Sequence, residues 1–242
     1  MKIVGKTDIG MVRETNQDAF KIVALGESAG FALVCDGMGG VNGGDRASSI
    51  AKAEISESVK VSFREGMTED EIRSGMLRAI DAANQKIYQT AKENPDLTGM
   101  GTTAVLTILY GGKAYVAHVG DSRLYRYQGG ILEQLTKDHS RVQDLVDRGV
   151  ITPEEARIHP EKNMITRAVG IGPDVNVDFL TIPFEPGDKL LLCSDGLSNT
   201  CSDGEIADVL STQEAEQAVE TLIKLANMGG GQDNITVVIA EN

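Results

Sequence analysis

Asp36, Asp121 and Asp195 each close an apolar run, in LVCDG, VAHVGDS and LLLCSDG, while Asp233 precedes one in GGGQDNITVV. Carboxylates placed where buried strands end can gather at one rim of a sheet structure, and there they repel. Two like charges about 4 Å apart cost roughly 4 kcal/mol at an effective dielectric near 20, a large fraction of a domain's net stability. A cation relieves such a cluster. Oxygen ligands with neither His nor Cys at those positions point to a hard ion, Mg²⁺ or Mn²⁺, rather than zinc. Taken singly, each Asp-Gly is also ordinary turn chemistry. The stretch DGMGGVNGG from Asp36 is nevertheless too glycine-rich for a tight hairpin. A loop of that kind lets main-chain oxygens or amides approach an ion or a phosphate. It is no nucleotide cradle: GxGxxG read from Gly37 fails at Asn42, and the stretch contains no Gly-Lys-Ser/Thr.

The elements that must position these aspartates are short β-rich runs, FALVCD, TTAVLTILY, KAYVAHVGD, KLLLCSD and NITVVIA, separated by turn signals such as YGGK and FEPGDK. YGGK joins its two runs so tightly that they must pair as an antiparallel hairpin, which argues against a purely parallel sheet. Helical period starts at Thr68, where Thr68 and Glu71 form a capping box and Ile72, Met76, Ala79, Ile80, Ala83 and Ile87 share one face. A second long helix is expected after Ser211, capped with Glu214 and stopped by Gly229, and a third over about 47–63. The runs outnumber the strands of one helix-covered sheet. The fold expected is therefore α+β, a central β-sandwich of two antiparallel sheets flanked by helices on both outer faces. Between about 138 and 167 the pattern turns polar, with two short helices, the second opened by Thr152 and Pro153. This segment reads as an insertion lying over something.

Bulk composition narrows the function classes. At 242 residues, 41% hydrophobic and without a Pro/Ser-rich linker, the chain is expected to form one domain over 1–242. Twenty-three basic against 36 acidic residues leave a net charge of −13, which repels nucleic acid and anionic membranes alike. No apolar signal core opens the chain, and no run approaches the roughly 20 apolar residues of a membrane span, so a cytoplasmic location is expected. Cys35, Cys193 and Cys201 are odd in number with no CxxC spacing, and buried reduced thiols are the expectation.

Seven motifs, RETNQDAF (13–20), DGMGG (36–40), GMGTTA (99–104), GDSR (120–123), LTKDHS (135–140), CSDGL (193–197) and GGQDNITVV (230–238), stand in the order found in the metal-dependent, type 2C serine/threonine protein phosphatases. Any one is weak; all seven in register across nearly the whole chain are not. The sequence most resembles the compact bacterial members, which consist of the catalytic domain alone. The resemblance implies a four-layer α-β-β-α sandwich with two Mn²⁺ or Mg²⁺ ions at one end, and a third in bacterial members. Asp36 would bridge two ions, Asp195 and Asp233 would complete one site, and the Gly37 carbonyl would join the other. Asp18 would hold waters in the outer shell, and Asp121 with Asp195 would match the third position. Arg13 would grip the substrate phosphate, its planar fork suiting paired oxygens better than lysine would; read alone, it would be a surface ion-pair partner, for instance of Glu14. In-line attack by a metal-bridging hydroxide would then hydrolyse phosphoserine and phosphothreonine on proteins, opposing a cytoplasmic kinase, with no protein nucleophile required. A monomer is expected.

The sequence also departs from its relatives. Where many eukaryotic members carry histidine after Asp-Gly, a residue thought to protonate the leaving oxygen, this chain has Met38, which donates nothing. His118 lies within a strand run and His139 within the DHS motif, both expected to be structural, which leaves His159 in the insertion as a candidate for touching substrate. Gln17 replaces a glutamate of some relatives, which implies weaker metal affinity. The insertion corresponds to the flap of bacterial members, beside the active site. The competing readings are a catalytically dead phosphoprotein-binding module and a hydrolase of small phosphate esters or nucleotides; the first would have lost its metal aspartates, and all are present.

Overall fold

A computed structural model describes residues 1–242, the side chains of Val41 and Asn42 excepted. Among the described residues, eleven strands form two antiparallel sheets. The first has the order β1 (Lys2–Asp8), β11 (Ile235–Glu241), β10 (Lys189–Cys193), β7 (Arg123–Gln128), β8 (Ile131–Gln134). The second runs β2 (Asp18–Ala24), β3 (Gly30–Met38), β5 (Ala104–Tyr110), β6 (Lys113–Val119), β9 (Asp178–Pro183), with the two-residue β4 (Gly101–Thr102) beside the end of β3. The YGGK turn closes β5 on β6 with Tyr110 opposite Lys113, and Gly111 and Gly112 both take positive φ, as a two-residue hairpin turn requires.

Strand alternation sorts the apolar residues into three layers. On β3, Phe31, Leu33 and Cys35 face α1 (Gly40–Ser62) and α2 (Glu69–Glu93), packing on Ile55, Met76 and Ile80. On β10 and β11, Leu191, Cys193, Val237 and Ile239 face α6 (Asp203–Thr212) and α7 (Ala215–Met228), packing on Leu210 and Leu222. The alternate residues, Ala32, Val34, Leu190, Leu192, Val238 and Ala240, meet between the sheets. This is the four-layer sandwich the sequence implied. Cys35 and Cys193 lie in the helix-facing layers, fully buried and unpaired, and burial pushes the Cys193 thiol up to about 12, so neither is a ready nucleophile.

The capping box at Thr68 and Glu71 is present, as is a second at Thr152 and Glu155 opening α4 (Pro153–Ile158), which follows α3 (Arg141–Asp147) in the segment 138–167. Two expectations change. Ser211 does not begin a helix; it ends α6, whose own capping box is Ser202 and Glu205, and α7 starts at Ala215 after Glu214. Ser-x-x-Glu occurs at both places, and only packing selects between them. The glycines after Asp36 form no open loop. β3 runs to Met38 and α1 begins at Gly40, because the two backbones touch: a Cβ on Gly37 would stand 2.0 Å from the Gly44 carbonyl oxygen, and one on Gly39, at φ 125°, 2.5 Å from the Met100 Cα. These glycines permit close approach of chain to chain.

Leu192 lies wholly between the sheets, so Leu192→Ala is expected to cost about 2–5 kcal/mol and to lower the melting temperature by roughly 2–4 °C per kcal/mol; a thermal melt within 2 °C of the parent would contradict this packing.

Candidate metal and phosphate site

The layer between the sheets ends in polar residues. Continuing the inward side of each strand past its last apolar residue, Asp18 precedes Phe20 and Ile22, Asp36 follows Ala32 and Val34, Ser194 follows Leu190 and Leu192, and Thr236 precedes Val238 and Ala240. Asp18 and Asp36 are direct partners across β2 and β3. The Ser194 and Thr236 hydroxyls, from the opposite sheet, each donate to Asp18 Oδ2 at 2.7 Å. A hydrogen-bonded polar cap thus links the sheets where the apolar layer stops.

Asp36 is fixed through its main chain. Its N–H donates to Thr103 Oγ1 at 2.9 Å, and its carbonyl accepts from the Thr103 N–H at 2.8 Å and the Thr102 hydroxyl at 2.9 Å. Asp195 opens a single turn, α5 (Asp195–Ser198), and Asn199 donates to its Oδ2 at 3.0 Å. Gly196 allows that turn to press on β11, since a Cβ there would meet the Asn234 carbonyl oxygen at 2.1 Å. Asp233 accepts from Arg13 Nη2 at 2.7 Å. Arg13 is therefore paired, with Asp233 rather than Glu14. Its loop is held by buried Asn234, whose side chain donates to the carbonyls of Ile9 and Thr15 and accepts from the Gln17 N–H.

Crowding shows in the acidities. Burial, opposed by the two hydroxyls and reinforced by Asp195 and Asp233, raises Asp18 from its ordinary 3.8 to about 7. Burial and then Asp233 raise Asp195 to about 6, against a hydrogen bond with Asp36. Burial followed by the charges of Asp18 and Asp195 holds Asp36 well above the carboxylate range, and burial with Asp195 and Asp138 does the same to Asp121. Asp18 Oδ1, although buried, has no hydrogen-bond partner. As the side chains stand, no three acidic, His or Cys groups among the described residues close around one point. Arg13 and Asn199 occupy part of the donor set. An oxygen-only cluster with an orphaned buried carboxylate oxygen and several pKa values raised together fits a hard divalent cation better than it fits bare carboxylates.

Asp121 follows β6 and is buried beside a cavity of about 230 Å³ whose walls include Asp121, Asp195, Arg123, Asp138, Arg157 and Lys162. The segment 138–167 roofs it through α3 and α4. His159 is not brought in: it ends α4, its Nδ1 accepts the Glu161 N–H at 3.1 Å, and it is not among the described residues lining the cavity. Gln17 donates to the Gly40 carbonyl at 2.9 Å. Met38 pairs with Gly101.

Residues 11–233 match the family described as Protein phosphatase 2C. The chain belongs to that family. It is 39% identical, over 98% of its length and 94% of the other's, to the serine/threonine phosphatase Stp of Listeria welshimeri. The serine/threonine phosphatase of S. agalactiae superposes with a TM-score of 0.92 at 37% identity, covering 100% of this chain and 99% of the other. The catalytic domain of the phosphatase PstP, solved in complex with two manganese ions, superposes with a TM-score of 0.85 at 36% identity, covering 99% and 97%. Within this 2C-type phosphatase, reading the sequence for charged groups passed over Ser194, Thr236, Asn234 and Thr103, which hold the carboxylates and the Arg13 loop. All four lie inside the motifs, and the inward parity of β10 and β11 was the signal available for Ser194 and Thr236.

The raised pKa values set the sign of a pH effect. A carboxyl whose folded value lies above its unfolded one stabilises the fold while protonated, and that stability is lost as pH rises from about 4 through about 7. Chelator-treated protein is expected to lose stability across this window relative to Asp18→Asn, which has no such proton to release. Mn²⁺ at a hundredfold excess over its dissociation constant is expected to restore about 2.7 kcal/mol per site at pH 8. Parallel pH-stability curves for the two proteins would contradict the assignment.

Proposed function

We propose that this chain removes phosphate from phosphoserine and phosphothreonine residues of proteins, using two Mn²⁺ or Mg²⁺ ions and a third near Asp121, and that it opposes a cytoplasmic protein kinase. The observation that carries the reading is the convergence of Asp18, Asp36, Asp195 and Asp233, the first three with pKa values raised by desolvation and mutual repulsion, with an arginine at their edge.

Asp36, Asp195, Asp233 and the Gly37 carbonyl would hold the ions, with Asp121 joining the third. Ions bound there supply a water of lowered pKa and neutralise phosphoryl oxygens. The chain's own groups do the rest. Thr102 and Thr103 hold the main chain of Asp36 so that its carboxylate is aimed before any ligand arrives. Ser194 and Thr236 orient Asp18 Oδ2, leaving Oδ1 free to accept from a water. Arg13 is positioned by the Asn234-anchored loop. When Asp233 is neutralised, its fork is available to a phosphate, which takes paired N–H donors well. Neither Met38 nor His159 offers the leaving oxygen a proton in this arrangement, since thioether sulfur donates none and the imidazole stands outside the cavity. The roof formed by 138–167 narrows access to the cavity beside Asp195, which suits a role in substrate choice.

Purified protein is expected to release phosphate from a phosphothreonine peptide only when Mn²⁺ or Mg²⁺ is supplied. Asp195→Asn and Asp233→Asn should each lower kcat by about 10²-fold or more with an unchanged circular dichroism spectrum, a loss equivalent to about 2.7 kcal/mol. Arg13→Ala should raise KM for the peptide more than it lowers kcat. Full activity in either Asn variant, or faster turnover of nucleotides than of peptide, would defeat the reading.

A further inference from the structure

The turn Gly120–Ser122 carries Asp121 between two histidines that the chemistry above does not use. His139 makes a reciprocal pair with Gly120: its own N–H donates to the Gly120 carbonyl at 2.9 Å, and its ring Nδ1 accepts the Gly120 N–H, also at 2.9 Å. An accepting Nδ1 places the ring proton on Nε2, which faces Asp178 Oδ2 at 3.1 Å. On the other side of Asp121, His118 Nε2 lies 2.9 Å from the Ser122 carbonyl, an acceptor only, so this ring too is the Nε2–H tautomer. The two imidazoles stack, with centroids 4.7 Å apart and planes 28° apart. Both residues flanking Asp121 are thereby held by one stacked, buried pair. The Ser122 hydroxyl continues the chain 2.7 Å from Thr103 Oγ1, the same oxygen that accepts the Asp36 N–H. His139 is also where the roof segment leaves the sandwich, its carbonyl accepting the Thr166 N–H at 2.8 Å.

Gly120 shows that this geometry is demanded. It stands at φ 107°, and a Cβ would lie 2.5 Å from Thr103 Cγ2, so the turn is packed tightly in a form open to glycine, one of several that an unbraced glycine turn would sample. A carboxylate on a turn free to relax loses affinity for a cation, since ordering it is then charged against binding.

We propose that His118 and His139 are positioning residues that preorganise the Asp121 turn for a divalent cation, with Asp178 fixing the His139 ring from behind. This rests on the reading that Asp121 holds an ion.

The test is calorimetric titration of the metal-free full chain with Mn²⁺, which needs no turnover. Asp121→Asn is expected to abolish the weakest Mn²⁺ site. His139→Ala should weaken that same site at least about tenfold, equivalent to about 1.4 kcal/mol, and leave the tighter sites within about twofold. His139→Gln, whose amide can accept from Gly120 and donate towards Asp178, should recover most of the affinity. An unchanged titration for Asp121→Asn would remove Asp121 from the metal site and the clamp with it. Loss of the weak site in Asp121→Asn but not in His139→Ala would overturn the clamp alone, as would a His139→Ala protein whose melting temperature falls while its Mn²⁺ titration does not. Should His139→Ala fail to fold, Asp178→Ala, at a half-exposed position, is measured instead; it is expected to weaken the same site about threefold, and no change there would overturn the proposal.

Discussion

Mutual repulsion among carboxylates at the end of the inter-sheet layer is the constraint around which this molecule is arranged. Asp18 and Asp36 face each other across β2 and β3, and Asp195 and Asp233 arrive from the opposite sheet. Bare, the cluster can persist only by holding protons that carboxylates normally release, by drawing Arg13 onto Asp233, and by taking hydrogen bonds from Ser194, Thr236 and Asn199. Each of these devices is a weaker substitute for a divalent charge.

The sandwich supplies the rigidity that makes such a cluster tolerable. Two sheets glued by Ala32, Val34, Leu192 and Val238 cannot splay to relieve the repulsion without opening an apolar layer, and each large residue in that layer is worth a few kcal/mol. Helices on both outer faces lock the sheets from behind. The energy of ordinary apolar packing is thus used to hold polar groups at separations they would otherwise leave, the usual origin of preorganised sites.

A second tier of hydrogen bonds translates this rigidity into aim. Thr103 joins the Asp36 backbone to Ser122, His118 and His139 flank Asp121, and Asn234 ties the Arg13 loop to the start of β11. Most of these partners are uncharged. They fix direction without adding to the electrostatic load.

What the sequence determined by itself was whatever is local or periodic. The apolar runs FALVCD and KLLLCSD defined buried strands, YGGK defined a hairpin, Thr68 and Glu71 defined a helix start, and motif order carried the family resemblance. These features follow from backbone geometry within a few residues. What only the tertiary structure decided depends on contacts between distant segments: that α7 starts at Ala215 rather than at Ser211, that the glycines after Asp36 join strand to helix instead of forming an open loop, that Arg13 rests on Asp233, that His159 stays outside the cavity, and that His139 braces the Asp121 turn. For Arg13, Gly39 and His139 the deciding partners are Asp233, Met100 and Gly120, residues remote in the chain that local sequence patterns do not bring together.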